Sequence, residues 1–114
     1  MIVIGGAGSL YVGDTQLIDT PQFPKEYYAG ANGARNYLDI LRKENELDWT
    51  FFSPAVEMNH SVTTGRTGKY RVGTENPVFD ENGRSILSAE DVAVVLADEI
   101  EQPKFLKARF TAAY

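Results

Sequence analysis

The residues best placed for chemistry sit at the front of the chain, where Gly5-Gly6-Ala7-Gly8-Ser9 follows the apolar run Met1 to Ile4. A strand ending in glycines invites comparison with a dinucleotide fingerprint, whose three glycines give a tight turn, close approach to pyrophosphate and helix-to-sheet packing. That reading fails here. Starting from Gly5 and Gly8, or from Gly6 and Gly8, the third glycine's place falls to Tyr11, whose ring would block the packing. Nor does a helix N-terminus follow to hold an anion on free N–H groups, since Pro21 and Pro24 lie in what comes next. What remains is either a strand end lining a crevice, where a flat ring or ribose can approach backbone closely, or a loop that only needs positive φ.

The rest of the chemical inventory is thin. Zero cysteines exclude disulfides, thiolate catalysis and zinc-thiolate sites, and a single histidine, His60, is too few for a metal cluster. Redox chemistry would need a bound organic cofactor. His60 could move a proton, with an ordinary pKa near 6.5, or be a solvated loop residue. Arg66 and Lys69 could meet a phosphate, although exposed turn residues need no ligand. Asp80, Glu81, Glu99 and Glu101 read as surface charge, and Tyr27, Tyr28 and Tyr37 as core or interface. A net charge of −5 with scattered basic residues argues against nucleic acid. No apolar run approaches the roughly 18 residues that cross a bilayer, and no secretory n-region opens the chain, so a cytoplasmic protein without a membrane partner is expected.

The elements that must position these groups follow from periodicity. At 114 residues there is room for one domain. Met1–Ile4 reads as a strand buried on both faces, and residues 9–24 as a long loop. Tyr27, Ala31, Ala34, Leu38 and Leu41 recur at helical steps, predicting a helix to about Asn45, with Pro24 in its first turn. Gly30 and Gly33 weaken it, which suggests close packing or a late start. Residues 48–53 form a second buried strand ended by Pro54, making a strand–helix–strand crossover with a parallel pair. Residues 69–72 and 85–87 look like short strands, with Asp80 to Gly83 as a turn. Ser88 caps a helix to about Glu101, Asp91 reaching back, with Val92, Val95, Leu96 and Ile100 as its stripe. Arg109–Ala113 supplies a terminal strand.

Several segments, in order and at the right spacing, resemble the NADH-flavin reductases, an atypical branch of the short-chain dehydrogenases: Val3-Ile4-Gly5-Gly6-Ala7-Gly8-Ser9-Leu10 with Asp19-Thr20-Pro21; Leu47 to Thr50 with Ser53-Pro54-Ala55; Arg66 to Arg71; Ile86 to Asp91; and Arg109-Phe110-Thr111. More distantly, the chain is similar to biliverdin-IX-beta reductase and NmrA-like proteins. The resemblance implies an α/β chain forming the C-terminal half of a Rossmann-like parallel sheet, with flanking helices and a small β-hairpin extension. Residues 1–114 would then be a partial NAD(P)-binding domain without the family's N-terminal glycine fingerprint, and truncated relative to it.

For single positions, the resemblance implies that Gly6, Ala7 and Ser9 border the ribose and nicotinamide of NAD(P)H. Phe52, Ser53 and Pro54 would pack against the nicotinamide from the neighbouring strand. The loop 56–68 and the turn at Arg66 to Lys69 would cover the substrate side. Ser9 is the candidate catalytic residue, its hydroxyl donating to a flavin carbonyl or ring nitrogen, with an ST-turn as the alternative. The Tyr and Lys four residues on that the wider superfamily uses are absent after Tyr11, Tyr27, Tyr28, Tyr37 and Tyr70. That suits hydride transfer between stacked rings, where positioning supplies most of the catalysis. The implied activity is an oxidoreductase passing hydride from NAD(P)H to a flavin-type acceptor; the alternative is a non-catalytic, NmrA-like or self-associating module. A homodimer, or a complementing N-terminal half, would cover the open edge of the first strand.

Overall fold

The computed structural model describes residues 1–21, 23–57 and 62–114. Its main sheet has four strands in the order β1 (Ile2–Ile4), β4 (Thr50–Ser53), β6 (Ala108–Ala113), β5 (Arg71–Gly73). β1 runs parallel to β4, with Ile4 opposite Phe52, and β4 runs parallel to β6, with Ser53 opposite Thr111. β5 closes the far edge antiparallel to β6. This is the expected Rossmann-like arrangement, with two helices packed on it.

Alternation along β4 sends successive side chains to opposite faces and so splits the core in two. Phe51 joins Trp49 and the Leu38 and Leu41 side chains of α1 (Tyr28–Leu41). Phe52 joins Phe110, Leu87, Ala112 and the Val95 side chain of α2 (Ala89–Glu101). Ser88 caps α2 by accepting from the Asp91 N–H at 3.1 Å. Asp91 does not reach back to Ser88; the Ser88 N–H donates instead to the Tyr114 hydroxyl at 3.2 Å.

Several expectations need correction. β1 is not buried on both faces: Ile4 is 59% exposed, because no described strand pairs with its outer edge. Inside the expected loop lies a two-residue hairpin, β2 (Tyr11–Val12) and β3 (Thr15–Gln16), turning through Gly13 at φ 65°. This is the small antiparallel hairpin of the fold; the segment at Ser85–Leu87 does not pair with β5 but bridges Glu57 through Ile86. α1 ends at Leu41, where the chain tightens into i→i+3 bonds at Lys43 and Glu44. No atom lies within 4 Å of a Cβ built on Gly30 or Gly33, so neither serves close packing among the described residues. Tyr27, Tyr28 and Tyr37 are exposed rather than core, and so is Ile100 of the expected α2 stripe. Glu99 takes the stripe position instead: it is buried, and its carboxylate accepts the N–H groups of Lys104 and Phe105 at 3.0 to 3.2 Å.

Candidate functional site

The ends of β1 and β4 lie side by side, and the ladder continues past β1 as the Gly5 N–H donates to the Phe52 carbonyl at 2.8 Å. The glycines beyond are not there for positive φ, which none of Gly5, Gly6 and Gly8 adopts. A Cβ on Gly5 would meet the Phe51 ring at 2.0 Å, so close approach requires glycine there; one on Gly8 would press on Ala31 at 3.1 Å, a tight contact. Gly6 differs, because the nearest atom to its built Cβ is 4.0 Å away. It opens onto a groove of about 560 Å³ between Ile4 to Gly8 and the start of α1, with Tyr27, Gly30 and Ala31 on the far wall. The groove lies outside the carboxyl ends of parallel strands, where open α/β sheets take their ligands. A larger recess of about 650 Å³ over β5 and the end of α2 is lined by none of these strand-end residues.

Gly6 and Ala7 line the groove, but Ser9 does not. Ser9 is 3% exposed and lines a smaller recess with Arg35, Arg42 and Glu75. Phe52, Ser53 and Pro54 are buried, and the Phe52 ring packs 5.0 Å from that of Phe110 in the α2-side core. None of the three lines the groove, whose walls come from the glycine turn and the start of α1. His60 lies outside the described residues.

Sequence reasoning gave no role to the residue that gathers these parts. Arg109, from β6, has a side chain 1% exposed. Its Nη1 donates to the Ser9 hydroxyl at 2.9 Å and the Ser53 hydroxyl at 3.3 Å, and its Nη2 to the Ser9 carbonyl at 3.2 Å. Nη2 also pairs with Glu75, which Arg42 holds from the other side at 2.9 and 3.1 Å. Burial alone would raise the Glu75 carboxyl; the two arginines outweigh it and hold it below the usual carboxylate range. An arginine inside a strand otherwise made of Ala, Phe and Thr was the available signal.

The turn at Thr67 and Gly68, which the resemblance puts on the substrate side, is tied to α2. Asp91, with no exposure, accepts the N–H groups of Thr67 and Gly68 at 2.9 Å each, the Thr67 hydroxyl at 2.8 Å and the Tyr114 hydroxyl. Burial pushes this carboxyl up, but the hydrogen bonds from Tyr114, Gly68 and Thr67 prevail and hold it at about 2. Arg66 and Lys69 on the same turn are exposed.

Among the described residues no helix is long and apolar enough to cross a membrane, and no group of three potential metal ligands occurs.

No family model matches the chain. YwnB, an uncharacterised Bacillus subtilis protein, is 40% identical over 97% of this chain and 53% of its own length. A Burkholderia pseudomallei structure described as a "putative exported protein" superposes with a TM-score of 0.90 at 45% identity, covering 99% of this chain and 54% of that one. A Streptococcus pneumoniae structure described as a "putative NADH-flavin reductase" gives 0.89 at 40% identity, covering 98% and 54%. The chain thus spans about half the length of the relatives it matches. Over that span the chain is similar to the C-terminal half of an NAD(P)-binding, Rossmann-like fold, the fold of the structure described as a "putative NADH-flavin reductase".

Proposed function

We propose that the chain supplies one wall of a nicotinamide cleft in an NAD(P)H-dependent reductase acting on a flavin-type acceptor. The observation that carries this is the pair of parallel strand ends meeting at an open glycine turn, with free space at Gly6. That turn fits a flat ring: between Gly5 and Gly8 it presents backbone and one methyl group, Ala7, while Phe23, Tyr27 and the Glu26 carboxylate stand across the groove. Gly6 and Ala7 would hold the ribose and nicotinamide from one side, with Tyr27, Gly30 and Ala31 across the groove. Bound NAD(P)H would supply the hydride. Ser9, held by Arg109, would act by fixing the turn. Oxidation of NADH and of NADPH followed at 340 nm with FMN or riboflavin, alongside calorimetric titration of each nucleotide, tests the reading. Acceptor-dependent oxidation that falls on replacing Gly6 by Val is expected; neither binding nor turnover would sink it.

A second reading, a self-associating module, is favoured by the outer edge of β1, which no strand pairs among the described residues, with Ile4 59% exposed. Light scattering on a sizing column distinguishes it, since a stable monomer at high concentration contradicts association through this edge.

A further inference from the structure

We infer that Arg109 is a positioning residue whose guanidinium sets the glycine turn after β1 against the tip of β4, and thereby the place of that turn on the cleft it lines with α1. It rests on the reductase reading only for what the cleft holds. One Nη1 reaches the hydroxyls of both Ser9 and Ser53, so the two ends are referred to a single rigid, planar donor. The Ser9 carbonyl, also held, fixes the backbone of the turn and not only its side chain.

The remaining contacts show why an arginine stands there. A buried cation is an expensive way to fill a core, and apolar replacement of a buried ion pair is often neutral or stabilising. Arg109 carries a further cost, since its buried Nε has no hydrogen-bond partner among the described residues. Its carboxylate partner Glu75 is 41% exposed and keeps Arg42, so removing Arg109 strands no buried charge. Core filling and ion pairing therefore do not account for the residue; the fork that spans two strand ends does. Glu75 extends the link, because its carbonyl accepts the Tyr11 N–H at 2.7 Å and so pins the hairpin that follows the turn.

The test compares wild type, Arg109→Met and Arg109→Lys in the full chain by hydrogen exchange, thermal unfolding and nucleotide binding. In Arg109→Met the amides of residues 5–10 exchange about tenfold faster, while those of α2 and the melting temperature stay near wild type. Arg109→Lys, able to serve one hydroxyl at a time, falls between. The KM for NADH rises about tenfold in Arg109→Met, with a smaller change in kcat, and Lys restores part of it. Unchanged exchange at residues 5–10, or acceleration spread evenly through α2, overturns the inference, as does a loosened turn with unchanged nucleotide affinity. If the wild type neither binds nor oxidises NADH, the reductase reading fails, and the exchange comparison alone decides the role of Arg109.

Discussion

Asp91→Asn is a nearly isosteric change at a carboxylate with no solvent exposure. The remaining oxygen can still accept the Thr67 and Gly68 N–H groups, but the new amide replaces the oxygen that took the hydroxyls of Thr67 and Tyr114. The charge at the first turn of α2 is also lost. In the folded protein the carboxyl is held at about 2, against an ordinary 3.8. At 1.36 kcal/mol per pKa unit that gap is worth about 2 kcal/mol of stability. Because the folded-state pKa is the lower one, this stabilisation is complete above pH 3.8 and is lost as pH falls from there through 2. Urea unfolding of both proteins from pH 6 to pH 3 measures it. The wild type should lead by about 2 kcal/mol at pH 6 and by roughly half as much at pH 3. A lead that is constant across this range, or absent at pH 6, would refute the assignment of the depressed pKa to this network.

Other substitutions probe packing directly. Gly5→Ala forces a methyl group into the Phe51 ring and should cost about 3 kcal/mol by chemical denaturation, whereas a cost near zero would mean the ring yields freely. Gly30→Ala and Gly33→Ala face open space inside α1 and should each stabilise by about 1 kcal/mol; a loss in melting temperature would reveal a hidden packing role. Glu99→Ala strands the Lys104 and Phe105 N–H groups and should cost about 2 kcal/mol, with early exchange of those amides by NMR. An exposed-surface response, under about 0.5 kcal/mol, would contradict its capping role.

The fold was readable wherever the signal was local. The apolar run at Ile2–Ile4, the strand formers at Thr50–Ser53 and the Ser88 cap each declare themselves within a few residues, and the crossover between the first two fixes their parallel pairing. What escaped depended on distant partners. The turn at Asp80 to Gly83 is real, with Gly83 at φ 75°, yet it does not form a hairpin with β5, because Ile86 beyond it bridges Glu57 instead. At the site, the glycine cluster drew attention to the strand end that opens on a groove, but the close contacts of Gly5 and Gly8 are with atoms of Phe51 and Ala31, distant in sequence. Arg109 and Ser9 are 100 residues apart, and no spacing rule connects them. Glu99 was the exception that a closer look at the stripe of Val92, Val95 and Leu96 would have found, since it occupies the next inward step.

The strand that emerges late in synthesis is also a central one. β6 lies between β4 and β5, and neither neighbour has another route to the opposite side of the sheet. Until Ala108 to Ala113 leaves the ribosome, Phe52 lacks Phe110, and the β5 segment has no backbone to bond. Nascent chains paused before this point should hold α1 against β1 and β4 at most, while the α2-side core waits for the keystone. Pulse-labelling exchange on such chains would then show protection arriving in β5 and α2 as a single late event.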